Sequence, residues 1–129
     1  MNYENLNLEK FSGYGSKVSR KISITKSFSF GIPPALFKEN NIDGFEKVAL
    51  FFDKKAGIIG LNFNNNEGFK LAKYGTGDKR AASFLARSFF TGYGLDPAKC
   101  KGRYVPDKIN REGIGELFLI NLESKALPE

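Results

Sequence analysis

The stretch KISITKSFSFGIPPALFKENNI, Lys21 to Ile42, constrains the fold more than any other part of the chain. Ile22 and Ile24 alternate with Ser23 and Thr25, and the even positions stay apolar through Phe28, Phe30 and Ile32. Period two in β-branched and aromatic residues predicts a half-buried strand. Lys26 breaks the apolar side and marks a bend or bulge where the strand leaves the core. Pro33 cannot extend a central ladder, so the strand ends there. Pro34 suits the first position of a helix, where a missing N–H costs nothing. The following ALFKENN offers Leu36 and Phe37 for burial, with Ile42 as an apolar plug and Asp43-Gly44 as a turn. A helix so short holds only by packing, so the proline pair is a junction that must sit against a core.

The rest of the chain extends this pattern. KVALFFD sets Val48, Leu50 and Phe52 on one face, DKKAG reads as a turn, and IIGLNF returns with Ile59, Leu61 and Phe63 aligned: a hairpin. NNNEG is a further turn, and FKLAKY a weaker strand. DKRAASFLARSFF reads two ways, as a helix capped by Asp78 or as a strand with Phe84, Ala86, Ser88 and Phe90 on one face. DPAKCKGRYVPDKINREG is loop-like and basic, and ELFLINL is a closing strand. The expected fold is β-rich α+β, with antiparallel hairpins and one or two short helices. Residues 1–16 form a polar arm, 17–64 a strand–helix–hairpin unit, 65–122 a second β-rich half packed on the first, and 123–129 a tail. FSGYG (Phe11 to Gly15) returns as FTGYG (Phe90 to Gly94), and KSFSFGIPPA resembles RSFFTGYGLDPA. The halves are then divergent copies of one unit, or the likeness is chance in a chain rich in Phe and Gly.

Composition narrows the chemistry. There is no histidine, so the usual general base near neutral pH and the usual nitrogen metal ligand are both missing. One cysteine, Cys100, gives no zinc set and no internal disulfide. Its neighbours Lys99 and Lys101 would lower its pKa, yet with no partner base it reads as an incidental thiol. No acid, base and nucleophile constellation can be named, so no catalytic residue, cofactor or metal is expected and the chain reads as no enzyme. YGTGDKR lacks the P-loop lysine followed by Ser or Thr and reads as a turn. No run of about 18 apolar residues is present, so no membrane partner is expected. MNYENLNLEK lacks the basic start and apolar core of a signal peptide, and a lone thiol fits a reducing compartment, so the expected location is cytoplasmic.

The net charge of +6, from 20 basic and 14 acidic residues, points to an anionic partner, nucleic acid first. Lys17, Arg20, Lys21 and Lys26 form one basic cluster with no acid inside it. Lys99, Lys101 and Arg103 begin a second, which runs on through Lys108 to Arg111. Lys79, Arg80 and Arg87 lie between them. These are the expected phosphate contacts; the alternatives are an edge strand guarded by lysines and an ordinary solvated loop. Tyr14 and Tyr93, set between glycines, are candidates for stacking on unpaired bases, or tyrosines packed where the backbone turns.

The order of strand, Ile32-Pro33, short helix PALFKENNI, then VALFFD and IIGLNF resembles the AbrB/MazE group of swapped-hairpin DNA-binding domains over Lys21 to Phe63. The resemblance implies that two chains interleave into one β-barrel-like homodimer. It also implies that Lys21, Lys26, Arg20 and Lys17 meet DNA, as in a duplex-binding regulator or architectural protein. Where the family carries a glycine- and arginine- or asparagine-bearing loop before the Ile-Pro pair, this chain has the shorter SFSFG. The other functions left open are a single-stranded DNA or RNA binder and a protein-interaction module without a nucleic-acid ligand.

Overall fold

The alternating stretch does not run as one strand. In the computed structural model, which describes residues 6–8 and 19–126, it folds back on itself as a hairpin. Strand β1 (Ile22–Ile24) pairs antiparallel with β2 (Ser29–Ile32), setting Ser23 against Gly31 and Ile24 against Phe30. Thr25 to Phe28 form the turn, with Lys26 exposed within it. Phe28 takes a positive φ of 68°, which is uncommon for an aromatic residue. It is held there by the Ala86 N–H, which donates to its carbonyl at 2.8 Å, and by an edge contact with Phe90 at 5.8 Å.

Beyond the hairpin the proline junction forms as expected. Pro33 is the extended residue before helix α1 (Pro34–Glu39), and the helix buries Leu36 and Phe37. Strands β3 (Lys47–Asp53) and β4 (Ile58–Asn64) make the long hairpin. FKLAKY is divided at buried Leu71 into β5 (Phe69–Lys70) and β6 (Ala72–Tyr74), which join different sheets. The ambiguous segment is both of its readings in turn: β7 (Ala81–Leu85), then helix α2 (Arg87–Gly92). The stretch expected as a basic loop is instead helix α3 (Pro97–Cys100) followed by β8 (Gly102–Tyr104) and β9 (Asp107–Arg111). Asp96 caps α3 by accepting from the Ala98 N–H at 3.0 Å, and Pro97 opens the helix. The described residues therefore hold three short α-helices rather than one or two. Strand β10 (Gly115–Asn121) closes the chain's last hairpin, and Lys125 then bridges to Tyr104, so the tail's first residues are tied down.

Two five-stranded antiparallel sheets result, β6-β7-β2-β1-β8 and β5-β3-β4-β10-β9, and the protein is β-rich α+β. Their inner faces share one core that includes Ile22, Phe30, Phe84 and Tyr104 from the first sheet and Ile59, Leu61, Phe118 and Ile120 from the second. Each sheet is centred on a strand pair drawn from the two halves of the chain. In the first sheet β2 pairs with β7 and Phe30 lies opposite Phe84, their rings stacked at 4.8 Å. In the second β4 pairs with β10 and Leu61 lies opposite Phe118. In chain order, hairpin, short helix, hairpin occurs as β1–β2, α1, β3–β4 and again as β6–β7, α2, β9–β10, with α3 and β8 before the last hairpin. Of the echoed residues, Pro34 and Pro97 each open a short helix, α1 and α3, whereas Lys26 to Phe28 lie in a turn and Arg87 to Phe89 in α2.

Tyr104 is fully buried and its hydroxyl donates to the Cys100 carbonyl. Burial, then the nearby Cys100 thiol, pushes its pKa from 10.0 up to about 12. The folded protein thus keeps the phenol proton where the unfolded chain releases it. The resulting stabilisation is complete below pH 10.0 and is lost as pH rises towards about 12. Thermal melts on both sides of pH 10.0 should show the wild type losing stability relative to Tyr104→Phe as the solution becomes more alkaline.

Candidate nucleic-acid interface

The outer face of the β6-β7-β2-β1-β8 sheet follows from its register. Since Ile22, Ile24, Phe30, Phe84 and Tyr104 point into the core, the residues between them point out. One row across the sheet reads Arg103, Ser23, Gly31, Ser83, Ala72. A second carries Lys21 and Pro33 on one side and Ala81 paired with Tyr74 on the other. A third runs from Thr25 through Ser29 to Leu85, and Lys101 enters the sheet beside it, one residue before Gly102 pairs with Ile24. No carboxylate occupies any of these positions.

The floor is low because its side chains are small. A Cβ on Gly31 would stand 2.4 Å from the Ser23 hydroxyl oxygen, so glycine keeps the middle of the row open. The result is a trough of about 220 Å³ lined by Lys21, Ser23, Gly31, Pro33, Tyr74 and Arg103, with Ser19 and Ile32 completing it. Its rims differ. The β1/β8 rim has Lys21, Lys101 and Arg103, and Lys26 lies in the turn at its end. The β6/β7 rim has Tyr74, 54% exposed, and Leu85, 57% exposed.

Strand β8 thus brings the start of the second basic cluster beside the first. Lys26, Lys99, Lys101 and Arg103 are exposed, without a carboxylate partner among the described residues. Arg87 opens α2 at the same end of the sheet as Lys26, its guanidinium 4.9 Å from the Phe28 ring centroid. The remaining expected contacts are placed otherwise. Arg20 is bound to Glu39, its Nε donating to Oε2 at 2.8 Å, and this pairing holds the Glu39 carboxyl below the usual range. Arg80 donates to Asp43 at 3.0 Å and to the Gly75 carbonyl at 3.1 Å, closing the β6–β7 turn, in which Lys79 is exposed. Lys108 and Arg111 lie on β9 in the other sheet, where Lys108 pairs with Glu116 at 3.0 Å. Tyr93 packs edge-on against Phe52 at 4.9 Å and Phe89 at 5.2 Å, away from the basic rim. Lys17 and Tyr14 lie outside the described residues.

Two larger concavities belong elsewhere. A cleft of about 720 Å³ is bordered by Asn40, Asn62, Asn64 and Asn65, but their amides already serve the backbone. Asn62 donates to the Glu116 carbonyl at 2.9 Å, Asn65 to the Gly44 carbonyl at 3.3 Å and Asn40 to the Leu36 carbonyl at 2.9 Å. A depression of about 740 Å³ on the second sheet is lined by Phe51, Ile109 and Leu119 together with Asp53, Lys54 and Arg111. Cys100 is buried, and burial raises its thiol pKa while Lys125 pulls the other way, so it is a core thiol.

Tyr74, Leu85 and the Ser–Gly floor were not foreseen from the sequence. The signal was present in the odd positions Ser23, Ser29 and Gly31, which are small beside the apolar even positions Ile22, Ile24, Phe30 and Ile32. No family model, curated protein or solved structure matches the chain. No helix among the described residues is long and apolar enough to cross a membrane.

Proposed function

We propose that the protein is a non-catalytic nucleic-acid-binding protein, holding phosphates along the β1/β8 rim of the first sheet. The observation that carries this is an outer sheet face on which no carboxylate stands among the described residues and on which the two basic segments meet. Lys101 and Arg103 supply charge from β8, Lys21 from β1 and Lys26 from the turn between β1 and β2. Each phosphate contact releases counterions and so steepens the dependence of affinity on salt.

Fluorescence polarisation with labelled oligonucleotides at several salt concentrations tests it. Binding should weaken with salt, and Lys101→Ala with Arg103→Ala should reduce the log–log slope by about 0.7 to 0.9 for each phosphate contact removed. Equal losses across different base sequences are expected, because phosphate contacts carry no sequence information. Absence of binding at low salt would overturn the proposal. The interaction-module reading, favoured by exposed Phe51 and Ile109 on the second sheet, would then take its place.

The functional unit in this reading is one chain. The support for this is that β2 and β4 already have neighbours, β7 and β10, within the same chain.

A further inference from the structure

We infer that the ligand is single-stranded, laid across the first sheet with its phosphates towards β1 and β8 and its bases towards Tyr74 and Leu85. The inference rests on the phosphate-binding reading above and adds what lies on the other rim. A single strand has two chemically different sides, a charged backbone and a row of bases with exposed faces. The sheet has the same division: Arg103 and Lys101 at the β8 end of two successive rows, Tyr74 and Leu85 on the far side of the same face. Rows on one face repeat every two residues, about 6.8 Å along the strands. An exposed tyrosine ring offers a stacking surface that tolerates any base.

A duplex presents phosphates on both of its outer sides and hides the base faces. It would need a row of cations at the β6/β7 rim as well, and three of those near it are occupied. Lys73 is held by Glu46 at 3.0 Å and Asp43 at 3.8 Å, Arg80 by Asp43 at 3.0 Å, and Lys38 by Asp78. Lys79 in the β6–β7 turn and Arg87, two residues beyond Leu85 and set over the Phe28 ring, are left there without a carboxylate partner among the described residues. A duplex on this face would thus set phosphates against tyrosine and leucine. The low floor at Ser23, Gly31 and Ser83 lets the bases reach across from the phosphate rim to the other.

The full chain is titrated with a labelled oligothymidine, a duplex of equal length, and heparin as a base-free polyanion. Wild type, Tyr74→Ala, Tyr74→Phe and Lys101→Ala/Arg103→Ala are compared. The single strand should bind more tightly than the duplex. Tyr74→Ala should weaken it by about tenfold while heparin binding stays unchanged, and Tyr74→Phe, which keeps a stacking ring, should stay near wild type. Equal or tighter duplex binding, or a Tyr74→Ala that leaves the single strand unaffected or weakens all three ligands alike, would overturn the inference. If the double variant still lowers binding, the phosphate reading survives that failure. If none of the three polyanions binds at low salt, both fall.

Discussion

Phe30→Ala is expected to cost about 3–5 kcal/mol, enough to bring a domain of ordinary stability close to unfolding. Phe30 is fully buried on a central strand, at the β2–β7 pair that joins the two halves of the chain. Its ring stacks on Phe84 at 4.8 Å with an interplanar angle of 5° and leans on Phe90 at 5.7 Å. Removing it strips contacts from both halves together, and a rigid β-sheet pair cannot close over the cavity. Phe30→Leu, which keeps most of the volume, should lose much less. Phe51→Ala, on the outer face of the second sheet and 38% exposed, serves as the control and should shift little. Urea midpoints measure all three. A Phe30→Ala midpoint close to that of Phe51→Ala would mean that the halves are not joined through this pair.

What the sequence could show, and what it hid, both follow from parity. The β3–β4 hairpin was legible because Val48, Leu50 and Phe52 answer Ile59, Leu61 and Phe63 across an obvious turn. The β1–β2 hairpin was hidden because its turn, Thr25 to Phe28, contains an even number of residues and no Gly, Pro, Asn or Asp. Alternation therefore continues from Ile24 to Phe30 as though the strand had never reversed. Lys26 was the one sign, a charge on the apolar side where the chain had left the sheet. Strand β9 was invisible for another reason: all five of its residues are exposed, so it has no apolar period to read. Only pairing with β10 makes it a strand. For the interface, the cations were legible as a list and their grouping was not. Which cations are already paired, as Arg20 is with Glu39 and Arg80 with Asp43, depends on contacts between residues far apart in the chain. The pairing of Ser23 with Arg103, which brings the second cluster to the first, is likewise a matter of tertiary register.

Cutting the chain in the exposed turn at Asn65–Asn66 should leave neither half able to fold alone, while the mixed halves regain the native structure. In the first half β2 loses β7 and β4 loses β10, so two central strands become open edges. The first half also gives up β5 from the flank of β3 and β8 from the flank of β1. The stack of Phe30 on Phe84 and the contact of Phe63 with Phe118 at 5.5 Å are broken at the same stroke. An isolated half has one escape from these open edges, pairing β2 and β4 with the same strands of another copy. That is the interleaved arrangement which the swapped-hairpin resemblance implies for separate chains. In the intact protein those edges are filled from within, and the whole chain is expected to be a monomer. Circular dichroism and light scattering on each half, on their mixture and on the intact chain measure this. A half that folds as a monomer would contradict the shared core. An intact dimer beside halves that fail to complement each other would put the missing pairing in a second chain.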